Sequence, residues 1–402
     1  MTATGKPALG VAPAERTDPR RGRTLAALVR YFLRLGSSGF GGPIALVGYM
    51  QRDLVEDRRW YTEAEFRQAL AVGQMMPGPL AAQVAMWLGY LQAGALGAAA
   101  VAAPFVLPPF VFVTAVAVFY AKYEGLAWVH SVFLGVGPAV LAIVAIAAHK
   151  LARSTNKRDP VLWAIAAVVC ALTAITGAEI VWLFIAAGLF GAIYYGRGIG
   201  RRPASGGLAA VSPAGLAAVV KGLAWTGSGA GLGTLGWFFF KAGAFTFGSG
   251  LAVVPFLQHG LVDQHHWLSD QQFVDAVAMG LISPGPVVIT ATFAGYLVFG
   301  AAGAIVATIC VFLPALLLVV IPGRFIRRHE RHPRLQGFIK GATAAAAGAI
   351  AGAAIVIGGN IITGPSSAAI ALVALAILLQ PWRKVPEPAL VGVAALVGLA
   401  AF

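Results

Sequence analysis

Cysteine is nearly missing from this chain. Cys170 and Cys310 are the only two in 402 residues, and both lie inside apolar runs. That argues against a disulfide framework or a thiolate metal centre and for small core hydrophobes. Acidic side chains are scarce as well: 15 Asp and Glu stand against 29 Lys and Arg, and the apolar runs are nearly free of Asp, Glu and His. An enzyme embedded in a membrane and acting on a lipid or isoprenoid would need acids, bases or metal ligands at depth, so this composition disfavours that class. No GxxxxGKS or GxxxxGKT loop is present to cradle a nucleotide's phosphates, and neither HExxH nor GxSxG occurs, which argues against direct ATP drive and against the common hydrolases. Residues 1–24 form a polar, Arg- and Pro-bearing arm without an apolar h-region, so no cleaved signal peptide is expected and the arm reads as cytoplasmic.

What the chain does have is apolar length. It is 59% hydrophobic and only 11% charged, with a mean hydropathy of +0.81. Continuous apolar runs at 98–120, 129–148, 161–173, 180–195, 301–321 and 368–379 predict an all-α polytopic membrane protein whose first partner is the lipid bilayer. They lack the period-two alternation of barrel strands. The 50 glycines and 23 prolines suit close helix contacts and broken helices. A net charge of +14 sits mostly in short loops between the runs, which is the pattern of a membrane protein's cytoplasmic loops rather than of a nucleic-acid surface.

The chain is also duplicated. Residues 34–79 align with 241–286 without a gap, and 16 of the 46 pairs are identical, including Gly36 with Gly243, Phe40 with Phe247, Trp60 with Trp267 and Gly73 with Gly280. The expected units are an arm at 1–24, a first repeat at 25–200, a Gly/Ala/Ser-rich linker at 201–233 and a second repeat at 234–402. Corresponding loops carry opposite charge. Arg52, Arg58, Arg59 and Arg67 face a Lys- and Arg-free partner at 258–272, whereas Lys122 alone faces Arg324, Arg327, Arg328, Arg331 and Arg334. The bias reverses again at Lys150, Arg153, Lys157 and Arg158 against 358–367, and at 176–179 against Arg383 and Lys384. The positive-inside rule therefore predicts two inverted-topology repeats, with about four full spans each and the linker, carrying Lys221, crossing once.

Two breaks recur in both repeats. Gln74-x-x-Pro77-Gly78-Pro79 interrupts an apolar segment and returns as Ser283-Pro284-Gly285-Pro286. The Gly-rich stretch ending Gly41-Gly42-Pro43 returns as Gly248-Ser249-Gly250. Interrupted helices are tolerated at membrane depth only where the freed backbone is buried in protein or lines a polar cavity. The fragments around Pro77-Gly78-Pro79 are too short to cross, so they read as re-entrant hairpins. Pro79 and Pro286 suit the first turn of a new half-helix, and helix N-termini favour an anion rich in oxygen acceptors. Arg34 and Lys241 share one repeat position near the Gly-rich breaks. Either they are a flanking charge and a snorkelling anchor, or both face the site and offset the anion's charge. These residues make up the candidate substrate site. Trp60 and Trp267 read as interfacial anchors. His259, His265 and His266 cluster in the Lys-free loop, where solvation is a better reading than a metal site. No cofactor is expected, and homodimerisation is left open.

The phrases Phe40-Gly41-Gly42-Pro43, Gln74-x-x-Pro77-Gly78-Pro79, Thr246-Phe247-Gly248-Ser249-Gly250 and Ser283-Pro284-Gly285-Pro286-Val287, together with the duplication, resemble the long-chain form of the chromate ion transporter family from about residue 25 onward. The resemblance implies export of chromate across a bacterial cytoplasmic membrane, with chromate resistance as the result and sulfate as the related anion. It implies no catalysis. The competing readings within the same residues are a transporter or exchanger of sulfate or another small oxyanion, and a passive anion channel.

Overall fold

The computed structural model describes residues 24–40, 42–123, 127–176, 181–196, 231–246, 250–321, 332–362, 364–380 and 385–401. The polar arm, most of the linker with Lys221, and the Arg324–Arg331 cluster lie outside them. Every regular element among the described residues is helical. The first half comprises α1 (Leu25–Ser38), α2 (Gly42–Gln51, running into a π turn at Arg52–Asp57), α3 (Glu63–Met75), α4 (Leu80–Tyr123), α5 (Ala127–Asn156), α6 (Pro160–Thr176) and α7 (Val181–Gly196). The second half comprises α8 (Leu232–Phe245), α9 (Val254–Gln258, running into a π turn at His259–Gln264), α10 (Asp270–Ile282), α11 (Thr290–Val320), α12 (Pro333–Ile361), α13 (Pro365–Leu379) and α14 (Glu387–Ala401).

Local chemistry repeats along with the fold. Thr62 and Ser269 open α3 and α10 with a capping box each, reciprocated by Glu65 and Gln272. Such a cap satisfies two orphan amides at once and is worth about 1 kcal/mol. Arg59 and His266, at one repeat position, both adopt positive φ, 52° and 50°. Immediately after them the amides of Trp60 and Trp267 donate to the carbonyls of Leu54 and Leu261, each at 2.8 Å.

The expected re-entrant hairpins are present. The Tyr61 hydroxyl, at the start of α3, donates to the Leu88 carbonyl at 2.7 Å, so α3 descends to the Pro77-Gly78-Pro79 break and the first limb of α4 climbs back beside it. Likewise the Tyr31 hydroxyl of α1 lies 3.3 Å from the Asp53 carboxylate at the end of α2. A third reversal was not foreseen. Ala93 and Gly94 leave helical geometry, with φ +59° at Gly94, and Phe299 and Gly300 do the same in the second half. Residues eight apart on a straight helix would be about 12 Å apart, yet a side chain on Gly89 would run into the backbone of Gly97, as one on Gly295 would at Gly303. Each of these apolar stretches, 44 and 31 residues long, is thus a helical hairpin with one long limb, and only that limb is long enough to cross.

By length, α4, α5, α11 and α12 can cross a membrane. The pairs α6–α7 and α13–α14 are apolar helices of 15 to 17 residues, short of the roughly 20 that a full span needs. Among the described residues two helices per half are therefore long enough to span unaided, against the expected four. The short pairs are exchanged between halves. α6 and α7 pack on α12 of the other half, where glycines meet backbone carbonyls directly, Gly341 at Ala187 and Gly348 at Ala166. α13 and α14 pack on α5, with Gly398 against Ser131 and Gly135. Without a hydrophobic drive between helices in lipid, such small-residue seams supply the packing. The large apolar side chains left exposed, including Leu107, Val111, Phe119, Val168, Leu372 and Leu396, suit a lipid-facing surface.

Contacts sort the helix ends onto two faces. Arg334 packs on Gly196, Lys340 lies 5.1 Å over the Tyr195 ring, and Tyr195 hydrogen-bonds Asp159. All three join the Arg- and Lys-bearing ends. On the opposite face Asn360 donates to Asp270 at 3.0 Å, and the end of α4 meets α10 through Tyr120 and Asp275 at 2.7 Å. The Arg52–Arg58 turn and its partner at His259–His265 thereby fall on opposite faces. Single cysteines at Arg58 and Gln264 in a Cys170→Ser, Cys310→Ser background should react with an impermeant thiol reagent from opposite sides only. Labelling of both from one side would contradict the inverted arrangement.

Candidate functional site

The two breaks meet at the centre, and each completes the other. The Gly78 amide donates to the Thr246 carbonyl at 2.5 Å, and the Gly285 amide donates to the Gly39 carbonyl at 2.8 Å. Gly78 and Gly285 are one repeat position, Gly39 and Thr246 another, so the pair is one contact made twice about a pseudo-two-fold axis. The surroundings obey the same rule: a side chain on Gly78 would meet Ala315 of the second half at 3.0 Å, and one on Gly285 would meet Pro109 of the first, also at 3.0 Å. Both glycines have positive φ, +138° and +90°, which together with the lack of room makes glycine obligatory there.

At the glycines of the two breaks the amides are spent on the opposite repeat, and proline has none to offer. The polar space lies beside the crossing instead. A cleft of about 320 Å³ is lined by Tyr31, Arg34, Leu35, Ser38 and Gly39 from α1 and by Tyr49, Arg52, Asp53, Asp57 and Arg58 from the α2 hairpin. Gly39 lines the cleft and also accepts the Gly285 amide, so the inner end of the cleft touches the crossing.

Three guanidinium and two carboxylate groups stand in the cleft. Asp53 is engaged, bonded to Arg52 at 3.0 Å and approached by Tyr31. Arg58 lies over the Tyr31 and Trp60 rings at 5.4 and 4.8 Å, and Arg52 lies 5.5 Å over Tyr49. Arg34 and Arg58 make no carboxylate ion pair among the described residues. The aromatic faces hold the Arg58 guanidinium in place without neutralising it, which suits bidentate capture of an oxyanion.

The remaining candidate residues are distributed unevenly. Pro79, Ser283, Pro284, Gly285 and Pro286 are buried at the crossing, as is Gly78, and Pro77 is half-buried. The Ser283 hydroxyl is used on the Gly280 carbonyl at 3.1 Å. Gln74 is exposed. Gly42, at φ +74°, starts α2 with Pro43 behind it, and Gly250 is buried against Val287. Gly41, Gly248 and Ser249 lie outside the described residues. Arg34 and Lys241 are not brought into one chamber: Arg34 is exposed in the cleft, while half-buried Lys241 lies near His265 of the other half.

Sequence reasoning missed Arg52 and Arg58 as site residues because it used them as orientation charges. It also missed Gln83. That side chain is fully buried four residues after Pro79, with its Nε2 donating to the Pro77 carbonyl at 2.7 Å and its Oε1 without a partner. A lone amide in the apolar run after the break was the available signal.

The fold and this site together define a multi-pass membrane protein of two inverted repeats with broken helices, whose central crossing is flanked by a cationic cleft. The sequence profile of the chromate transporter family matches the chain twice, at residues 26–192 and 233–399, and the chain belongs to that family. It is 48% identical over 379 residues to a chromate transport protein of Cupriavidus metallidurans, covering 94% of each chain. It is 44% identical over 381 residues to a probable chromate transport protein of Synechococcus elongatus, covering 94% of this chain and 95% of that one. It is 32% identical over 332 residues to a chromate transport protein of Pseudomonas aeruginosa, covering 79% and 77%. No solved structure matches it.

Leucine at Gly78 or at Gly285 should abolish anion flux while the protein still reaches the membrane, because either side chain separates the two breaks. Gly359→Leu, where a side chain meets nothing within 4 Å, should leave flux within about twofold, as expected of a substitution away from any packed contact. The comparison is read as flux per unit of membrane-inserted protein.

Proposed function

We propose that this protein is a secondary transporter that exports chromate, or a related oxyanion such as sulfate, across the bacterial cytoplasmic membrane and so confers chromate resistance. The observation that carries the reading is the continuity at Gly39, which joins the three-arginine cleft to the crossing of the two broken helices. Transporters of inverted-repeat design hold substrate at the repeat interface near mid-membrane, between discontinuous helices. Relatives named as chromate transport proteins over nearly the whole chain support the substrate class.

In this reading the Arg- and Lys-bearing face is cytoplasmic, residues 25–200 and 234–402 are the two inverted units, and the linker at 201–233 crosses between them. Arg34 and Arg58 meet the anion from the cytoplasm. A dianion leaving a cell that is negative inside by about 100 mV gains roughly 4.6 kcal/mol, from about 2.3 kcal/mol per charge, so export needs no ATP and no second substrate.

The test is flux of labelled chromate and sulfate in proteoliposomes under an imposed potential of either sign. Chromate should move toward the positive side, show counterflow and saturate, whereas a passive channel would show neither saturation nor counterflow. Arg34→Gln should raise the half-saturating concentration about 30-fold, equivalent to about 2 kcal/mol for one lost charge-assisted contact. Chromate flux no faster than in empty liposomes would overturn the reading.

A further inference from the structure

The two halves share a backbone plan but not a cavity. Each residue of the open cleft has a counterpart 207 positions on: Tyr31 becomes Phe238, Arg34 becomes Lys241, Ser38 becomes Phe245, Tyr49 becomes Phe256, Arg52 becomes His259 and Arg58 becomes His265. The acidic pair disappears in the same exchange, with Gly260 at the position of Asp53 and Gln264 at that of Asp57. Where the first half is open, the second is filled with rings. Phe238 stacks on Phe256 at 5.2 Å, Phe256 stacks on Phe245 at 6.4 Å, and Phe238 meets His265 edge-on at 6.1 Å. The Phe238 ring occupies the space where a side chain on Gly260 would project, the place that Asp53 takes beside Tyr31 in the other half.

We propose that this filled position is a second oxyanion cleft, built on Lys241, His259 and His265 and opening to the face opposite the arginine cleft, and that the structure is the arginine-face-open member of an alternating pair. The proposal rests on the transport reading above and adds to it the release site and its control. The reciprocal hydrogen bonds at the crossing make the two clefts mechanically linked. An element that lets α8 and the α9 hairpin part must shift Thr246 and with it Gly78, on the far side of the same contact.

The cations differ in a way that matters for release. Guanidiniums stay charged at any physiological pH, whereas the His265 imidazole can lose its charge, so the second cleft holds an anion less tightly when its face is neutral or alkaline. The groups facing His265 are Lys241 from α8 and His259 from the π turn, and His259 in turn lies 3.4 Å from the Asp263 carboxylate. His265 is held below the ordinary histidine range, first by burial and then by the Lys241 and His259 charges. Opening hydrates the imidazole and returns it toward about 6.5. A group whose value is lower in the filled state stabilises that state above its hydrated value, and loses the contribution as pH falls toward the lowered one. Acid on the histidine face therefore opens the second cleft and closes the first.

Ser38→Cys in the first cleft and Ala242→Cys in the second, the counterpart of Leu35, report the exchange without removing any ring of the aromatic plug. Both are made separately in the Cys170→Ser, Cys310→Ser background, reconstituted in proteoliposomes, and labelled with an impermeant thiol reagent. At about pH 7.5 on both sides, Ser38→Cys should label from the arginine face and Ala242→Cys should not label. Acidifying the histidine face alone to about pH 5.5 should raise Ala242→Cys labelling from that face and lower Ser38→Cys labelling, the direction that protonation of a His265 held low in the filled state dictates. His265→Gln should remove the pH response. Ala242→Cys protected at both pH values, or both positions labelled together, would overturn the proposal. The same vesicles carry the flux assay: chromate flux without exchange of labelling overturns this inference alone, and exchange without chromate or sulfate flux overturns the transport reading alone.

Discussion

An interrupted helix in a membrane must find partners for the backbone groups it frees, and here each half finds them in the other. Two hydrogen bonds, Gly78 to Thr246 and Gly285 to Gly39, close the breaks reciprocally. Neither repeat could satisfy its own break alone, because an unpaired amide in hydrocarbon costs several kcal/mol. The exchanged short helices extend the same dependence to the periphery, since α6–α7 lean on α12 and α13–α14 lean on α5. The repeats are therefore two halves of one body rather than two domains joined by a linker.

Symmetric closure of the backbone leaves the side chains free to differ. The first half places charge in an open cleft. The second half places rings at the same positions and fills the space with them. This difference breaks the near two-fold symmetry of the main chain, and it does so at the points where each half touches the crossing. Gly39 borders the open cleft, while fully buried Thr246 closes the other side, its hydroxyl turned back on the Ala242 carbonyl at 2.8 Å.

Much of the plan could be read from the residues. The gap-free repeat and the opposed loop charges carry inversion, because sidedness is a property of loop charge and survives divergence in the core. The Pro-Gly-Pro breaks are legible because proline and glycine act on the backbone directly. What escaped has physical reasons too. The reversals at Ala93-Gly94 and Phe299-Gly300 sit in apolar stretches where a single glycine is as compatible with packing as with a turn. The cross-repeat bonds use main-chain atoms and leave no mark on side-chain identity beyond two glycines. Arg52 and Arg58 serve orientation and cleft at once, and the first role hides the second. Gln83 was one amide among many apolar neighbours, and only its burial next to Pro77 singles it out.

The central claim is that the oxyanion enters through the arginine cleft and reaches the crossing beside Gly39. The most direct measurement is a structure of the protein with chromate bound, with the chromium located by its anomalous scattering. The account predicts a chromium peak among Arg34, Arg52 and Arg58, or between them and the Gly39–Gly285 contact, within about 4 Å of a guanidinium nitrogen, as direct charge-assisted hydrogen bonds from nitrogen to chromate oxygen require. A single well-occupied peak remote from both the cleft and the crossing would contradict it.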